Sequence, residues 1–343
     1  MKRFGTALLV LALLPILAET ADAQRRRRGG WERSVNFENL SFESKQFKSK
    51  AMKKSWSYGI FLPKDYAQAK DKTYPWIVHL HGMREDHIRF SFRGGGEVLD
   101  ELIGKKQFPE VILVCAEGGR TSFFMNGKFT ANFEDMVVKD LIAHIEKTYR
   151  VKKGRENRAL LGQSAGGGAA LRIALTHPEV FSVVATHSAA ILPKKSKELY
   201  NEFPWLRGPR SSLVVMMFGD PIDEKRWRKS NPLWLAQKMK PEDLHGLKVY
   251  FDCGTRDRYG FHQPNLDFHK LLKKRKIKHE WRSVAGGGHG NDYNADNLPH
   301  SLGFIAAAWS QQRGVRGLGE LMGGKNGPKP GKATASRPSK SIK

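Results

Sequence analysis

Ala159-Leu160-Leu161-Gly162-Gln163-Ser164-Ala165-Gly166-Gly167-Gly168 joins an apolar, strand-like run to a Gly-x-Ser-x-Gly turn and then to an Ala-rich stretch carrying Ala169, Ala170, Ile173 and Ala174. Strand, sharp turn and helix in that order form the nucleophile-elbow pattern. A serine at such a turn sits in strained backbone, and Gly162 and Gly166 lack the side chains that would clash where the chain doubles back. The hydroxyl is then presented to the surface of the sheet. The helix that follows aims its first N–H groups at the same point, where they would stabilise a developing oxyanion. An incidental serine in a Gly-rich turn would show the same residues, so the surrounding chain has to decide.

Outward from this turn, apolar runs at 75–82 and 111–116 have the continuous hydrophobicity of strands buried on both faces of a parallel sheet, and 180–185, 247–253 and 279–284 read as further strands. Between them, helical spacing is predicted at 133–149 (Phe133, Met136, Val137, Leu141, Ile145, Tyr149), at 265–274, at 297–309, and after Gly94-Gly95-Gly96. Residues 35–62 alternate apolar and polar in short runs, which predicts antiparallel edge strands. A Trp- and Lys-rich insertion at 193–240 holds Trp205, Trp227 and Trp234, and within it 212–218 reads as a further strand. Repeated strand–helix units with buried strands imply an α/β fold with a mostly parallel central sheet and helices on both faces. No internal repeat is visible.

A serine hydroxyl is a weak nucleophile at neutral pH and requires a base within hydrogen-bond reach, itself oriented by a third group. Where the elbow leads, the chain order is Ser, then Asp or Glu, then His. Asp257, in Gly254-Thr255-Arg256-Asp257 directly after the strand at 247–253, is in place for the acid. Asp252 is the competitor, but inside the strand run it reads as a satisfied structural carboxylate. His289, in Ala285-Gly286-Gly287-Gly288-His289-Gly290, follows the next strand, with glycines that let the ring approach; His262, His279 and His300 have no such setting. The oxyanion donors are expected at the N–H of Ala165 and at Met83, after the first buried strand, with His81 fixing that loop.

Residues of about 40–310 resemble the esterase family that includes esterase D, bacterial feruloyl esterases and mycolyltransferases, a branch of the α/β-hydrolase superfamily. The resemblance is carried by Tyr58-Gly59-Ile60-Phe61-Leu62-Pro63, His81-Gly82, Glu117-Gly118-Gly119-Arg120-Thr121-Ser122-Phe123-Phe124, Gly162-Gln163-Ser164-Ala165-Gly166-Gly167, Asn231-Pro232-Leu233, Gly254-Thr255-Arg256-Asp257 and Gly286-Gly287-Gly288-His289. It implies the α/β-hydrolase fold and an esterase or acyl transferase with Ser164, Asp257 and His289 as triad. Two departures stand out. Asp140 and Ala143 occupy positions where members often have Glu and Pro, and Met83-Arg84-Glu85-Asp86-His87 replaces a small, Gly-rich oxyanion loop, which bears on the shape of the acyl pocket.

Composition bounds the rest. Lys2-Arg3, the apolar run from Ala7 to Ala18 and Ala21-Asp22-Ala23 read as a cleavable signal peptide over 1–23, too short to span a bilayer, so the mature protein is expected to be secreted or periplasmic without stable membrane insertion. A basic arm at 24–36 (Arg25 to Arg28) and a Gly-, Pro- and Lys-rich tail at 313–343 flank a domain at 37–312, and both flanks are expected to be disordered. The formal net charge is +25, of which the arm carries about +4 and the tail about +7, so the excess extends into the domain. Such charge favours contact with an anionic polymer but is silent on chemistry. Cys115 and Cys253 lie in apolar strand runs and read as buried free thiols, and neither has metal-ligand spacing. No cofactor and no metal are implied. The sequence reading is therefore an exported serine hydrolase of carboxylic esters, polysaccharide-linked acyl or feruloyl esters among them. An acyltransferase or serine peptidase on the same fold, or a non-catalytic binder of anionic polymer, are the alternatives.

Overall fold

The computed structural model describes residues 36–120, 122–127 and 131–312. The expected signal peptide, the basic arm up to residue 35 and the tail from residue 313 lie outside the described residues.

Eight strands form one sheet: β1 (Leu40–Ser49), β2 (Lys54–Pro63), β3 (Trp76–Leu80), β4 (Ile112–Ala116), β5 (Arg158–Gln163), β6 (Val183–His187), β7 (Lys248–Gly254) and β8 (Glu280–Val284). Their spatial order is β1-β2-β4-β3-β5-β6-β7-β8. β1 and β2 are the expected antiparallel edge, β2 meets β4 antiparallel, and every later pairing is parallel. β3 and β4 are buried throughout, and β5 is buried as far as Gly162, as strands covered on both faces require.

Alternation along each strand then serves two helical layers. Ile60, Val78, Val114 and Leu160 join the core that includes Met136, Val137, Leu141, Ile145, Ala170 and Ile173. Phe61, Ile77, Leu113 and Leu161, one residue along each strand, are equally buried and point to the other face, where the helices Gly95–Gly104 and Asn291–Gln312 pack together. Each fully buried Val, Leu or Ile contributes about 1.5–3 kcal/mol.

Two expectations need correction. Residues 212–218 are not a strand but lie in the helix Ser211–Phe218. An apolar run this short has no decisive period, and here Leu213, Val214, Met217 and Phe218 are buried together on one helical face. Gly219 at φ 89° closes the helix, its N–H reaching Val215 O at 2.8 Å. The last helix starts earlier than residue 297, at Asn291, which brings its first turn to the C-terminal ends of the strands.

The insertion is largely helical (Leu199–Glu202, Ser211–Phe218, Glu224–Ser230, Pro232–Lys238) and carries its own core of Leu199, Phe203, Val214, Met217, Phe218 and Trp227. Asn231 ties it to the segment that follows β6. Its Oδ1 accepts from Leu233 N at 2.9 Å, and its Nδ2 donates to Leu192 O and Pro193 O at 3.0 and 2.8 Å. Both cysteines are buried and free. Among the described residues no helix is long and apolar enough to cross a membrane.

Candidate active site

β5 ends at Gln163 in extended backbone, and Ser164 turns into the left-handed region at φ 52° before the helix Ser164–Thr176 begins. A non-glycine residue held there costs about 1–3 kcal/mol, so the surrounding packing has to enforce it. The glycines of the motif act by close approach. A Cβ on Gly162 would lie 2.4 Å from Gly166 O, and one on Gly166 would lie 2.1 Å from Leu80 O, at the end of β3. The helix therefore starts hard against the neighbouring strand, and the serine has one available direction.

Two loops converge on that serine. Gly254, at the end of β7, packs so closely on the glycine loop after β8 that a Cβ there would lie 2.2 Å from Gly287 O. Arg256 N donates to Gly287 O at 2.8 Å, and Gly286 N donates to Thr255 Oγ1 at 2.9 Å. This zipper places His289 Nδ1 2.7 Å from Asp257 Oδ2 and His289 Nε2 3.0 Å from Ser164 Oγ. The Asp257 side chain is fully buried. Burial opposes its charge, but the bond to His289, that ring's charge and the N–H groups of Tyr259 and Phe261 outweigh it and hold the carboxyl below the usual carboxylate range.

Asp252 serves a different ring. It is wholly buried, 2.9 Å from His187 Nδ1, and accepts from Tyr250 and Tyr293 hydroxyls at 2.8 and 2.7 Å. His279 bonds to His269 and to Ile277 O, and His262 to Ser283 Oγ. Neither they nor His300 line the cleft.

The cleft over Ser164 and His289 offers about 160 Å³. Met83 and Ala165 both line it. One wall is aromatic: Phe123, Trp205, Tyr259 and Phe261, the last in edge-on or tilted ring contact with Trp205 and His289. The facing wall is polar, and a chain of hydrogen bonds runs through it. Asn294 Nδ2 donates to Gln163 Oε1 at 2.6 Å, and Gln163 Nε2 donates to Glu85 Oε2 at 2.7 Å. The same Glu85 oxygen accepts the N–H of Gly82 at 2.8 Å. Glu85 thus occupies the Gly82 N–H, pinning the backbone immediately before Met83. His81 fixes the same loop, with Nδ1 2.8 Å from Gly82 O and Nε2 accepting from Gly118 N at 3.0 Å. His87 anchors its far end through Glu117 at 2.7 Å and Ser44 at 2.9 Å.

Sequence reading missed Glu85, Gln163, Asn294 and Arg172. Arg172, buried in the elbow helix, donates to the carbonyls of Phe123 and Phe124, at 3.2 and 2.6 Å, and pairs with Glu134 at 3.1 Å. It thereby holds the Phe123 wall. Gln163 lay inside the motif, but nothing in the motif shows what its amide meets. Among the described residues no cluster of three or more His, Cys, Asp or Glu side chains is arranged to hold a metal ion.

Residues 49–305 match the family described as "Putative esterase". The chain belongs to that esterase family. Over 158 residues it is 30% identical to the endo-1,4-beta-xylanase/feruloyl esterase of Xylanibacter ruminicola, covering 44% of this chain and 22% of that protein. Over 256 residues it is 28% identical to esterase Rv1288 of Mycobacterium tuberculosis, covering 68% of this chain and 52% of the relative. The chain therefore spans about half, or less, of these curated relatives. A solved ferulic acid esterase superposes with a TM-score of 0.67 at 24% identity, over 80% of this chain and all of that one. At that identity the likeness establishes the fold, which is the α/β-hydrolase type. Membership of the esterase family supports carboxylic ester hydrolysis.

Proposed function

We propose that this esterase-family chain is a serine carboxylester hydrolase that works through an acyl-enzyme, with Ser164 as nucleophile, His289 as base and Asp257 as the group that orients the ring. The observation that carries the reading is the unbroken relay from Asp257 through His289 to Ser164, at 2.7 and 3.0 Å. His289 Nε2 takes the Ser164 proton as Oγ attacks the ester carbonyl, and the imidazolium then protonates the departing alkoxide. Water, deprotonated by the same ring, attacks the acyl-serine and releases the acid. Asp257 holds Nδ1 protonated and stabilises the imidazolium. The N–H groups of Ala165 and Met83 are the proposed oxyanion donors, one at the start of the elbow helix and one on the loop that Glu85 and His81 brace. Labelling by a fluorophosphonate and turnover of short p-nitrophenyl esters, both absent in Ser164→Ala, test this reading. A wild-type protein that neither labels nor turns over sinks it.

We further propose that the chain is exported and acts on esters carried by polysaccharide, with the arm and tail holding it on an anionic polymer. The leader-like first residues, the +25 charge and a relative whose name joins a xylanase to a feruloyl esterase support this. Tethering would raise the local concentration of substrate. A panel of acetylated and feruloylated polysaccharides, and sequencing of the mature N-terminus for a start at Gln24, are the tests. Loss of salt-sensitive retention on an anionic matrix when residues 313–343 are deleted would assign the tail its role.

A further inference from the structure

A second recess lies behind the polar wall of the cleft. Gln163, Asn291 and Asn294 line both spaces, so the recess begins one side chain away from Ser164. Its other walls bring together Arg89, Arg93 and His79, and no carboxylate lines it. Gly94 and Gly95 make this possible. A Cβ on Gly95 would lie 2.7 Å from the Phe90 ring, and one on Gly94 would lie 3.0 Å from Ala295 Cβ, so the turn that carries the two arginines folds tightly onto the last helix.

Two residues here carry buried nitrogens without a hydrogen bond, Arg89 and His79. Arg89 and Arg93 form no ion pair among the described residues, and Arg89 makes only a ring contact, its guanidinium 5.3 Å from the Phe92 ring centre. Arg89 Nε is buried without a hydrogen bond, and so is Nδ1 of His79, a residue only 3% exposed. Burial, with the neighbouring His81 and His187, pulls the His79 imidazole down to about 3, so the ring is neutral and carries one N–H. His187 lends only its ring face, because Asp252 and Ser301 take both its nitrogens. A buried Nε–H such as that of Arg89 is costly unless something supplies an acceptor, and the polar edge of His79 beside it is likewise unsatisfied. The recess holds about 20 Å³, room for one water-sized group such as a single oxygen.

We propose that this recess is an anion subsite of the catalytic cleft, which takes one oxygen of a carboxylate or similar anionic group on the substrate. The inference rests on the esterase reading and narrows it to esters with a negative charge close to the scissile bond. Arginine suits the task, because its planar, permanently charged fork pairs with carboxylate at little orientational cost. The excess positive charge of the chain adds steering toward such substrates.

The test compares the acetyl ester of glucuronic acid with that of its neutral amide, substrates of matching shape in which the amide lacks the charge and one acceptor oxygen. The expected result is a preference for the acid of about tenfold or more in kcat/KM, the discrimination one charge-assisted hydrogen bond gives. Arg89→Gln with Arg93→Gln should bring the ratio near one, with a melting curve to show that the double variant is folded. In a separate arm, glucuronate binding to Ser164→Ala is followed by calorimetry, and the two arginine changes should abolish it. A ratio near one in the wild type, unmoved by the arginine changes, overturns the subsite. Inorganic sulfate or chloride altering turnover of both esters alike would show a free-ion site and overturn the assignment to substrate. Arginine-dependent glucuronate binding in a protein that hydrolyses no ester would uphold the subsite while the hydrolase reading falls.

Discussion

Asp252 Oδ2 accepts from His187 Nδ1 at 2.9 Å, leaving His289 to Asp257 alone. The two aspartates stand close together at the end of β7, yet each is committed to its own imidazole. Asp257→Asn should therefore slow acylation by about 10⁴ while leaving the fold intact, since the wrong tautomer of His289 would face the serine. Asp252→Asn should act on stability, because it disturbs the buried acceptor that His187, Tyr250 and Tyr293 share, a loss of about 1–3 kcal/mol. Single-turnover rates beside urea midpoints separate the two. If Asp252→Asn proves to be the kinetic variant and Asp257→Asn the unstable one, the assignment is reversed.

Glu85 is expected to act through the backbone it holds. In Glu85→Ala the Gly82–Met83 segment loses its brace, and kcat should fall with little change in KM. The upper bound is the 10²–10³ typical of losing one oxyanion donor. Glu85→Gln keeps an acceptor for the Gly82 N–H and should recover part of the loss. A rise in KM with kcat unchanged would place Glu85 in substrate binding instead.

The glycines of the elbow should resist the smallest addition. In Gly166→Ala the new methyl would meet two backbone carbonyls, at 2.1 Å from Leu80 O and 2.4 Å from His81 O. Backbone cannot rotate aside as a side chain can. We expect a loss of at least about 1–3 kcal/mol and of most labelling at Ser164. Gly286→Ala, with nothing within 4 Å of its would-be Cβ, meets no such clash and should be affected only through its φ of +72°. Equal behaviour of the two would contradict the close-approach argument.

Glu134 gives a pH signature. Burial raises its carboxyl, but Arg172 and the hydrogen bond to His177 outweigh burial and hold it at about 2, against an ordinary value of 4.5. A folded-state pKa below the unfolded one contributes stability that is present above about 4.5 and fades as pH falls toward 2, on the order of 3 kcal/mol. His177 is raised, first by its bond to Glu134, so its share is present below 6.5 and is lost as pH climbs through the raised value. Glu134→Gln should flatten both limbs. Urea midpoints measured across pH for the two proteins check this, and parallel curves would deny the linkage.

By itself the sequence determined the sheet, the elbow and the order of its chemical groups. Short apolar runs such as Trp76–Leu80 and Ile112–Ala116, recurring between helical stretches, read as strands buried on both faces, and Gly162 and Gly166 announce a close backbone crossing that a larger residue would block. Those signals are local, written in period and in residue size. Tertiary structure alone decided what long-range packing sets. Residues 211–218 became a helix because an apolar run that short satisfies either period, and the insertion's own core selected the helical face. The early start of the last helix, at Asn291, brought Asn294 to Gln163 and hence to Glu85, side chains far apart in the chain. Which aspartate met which histidine was settled the same way. Asp252 points into the layer beneath β7 and Asp257 lies past the strand end, beside the glycine loop, and that difference of direction exists only once the strands are paired.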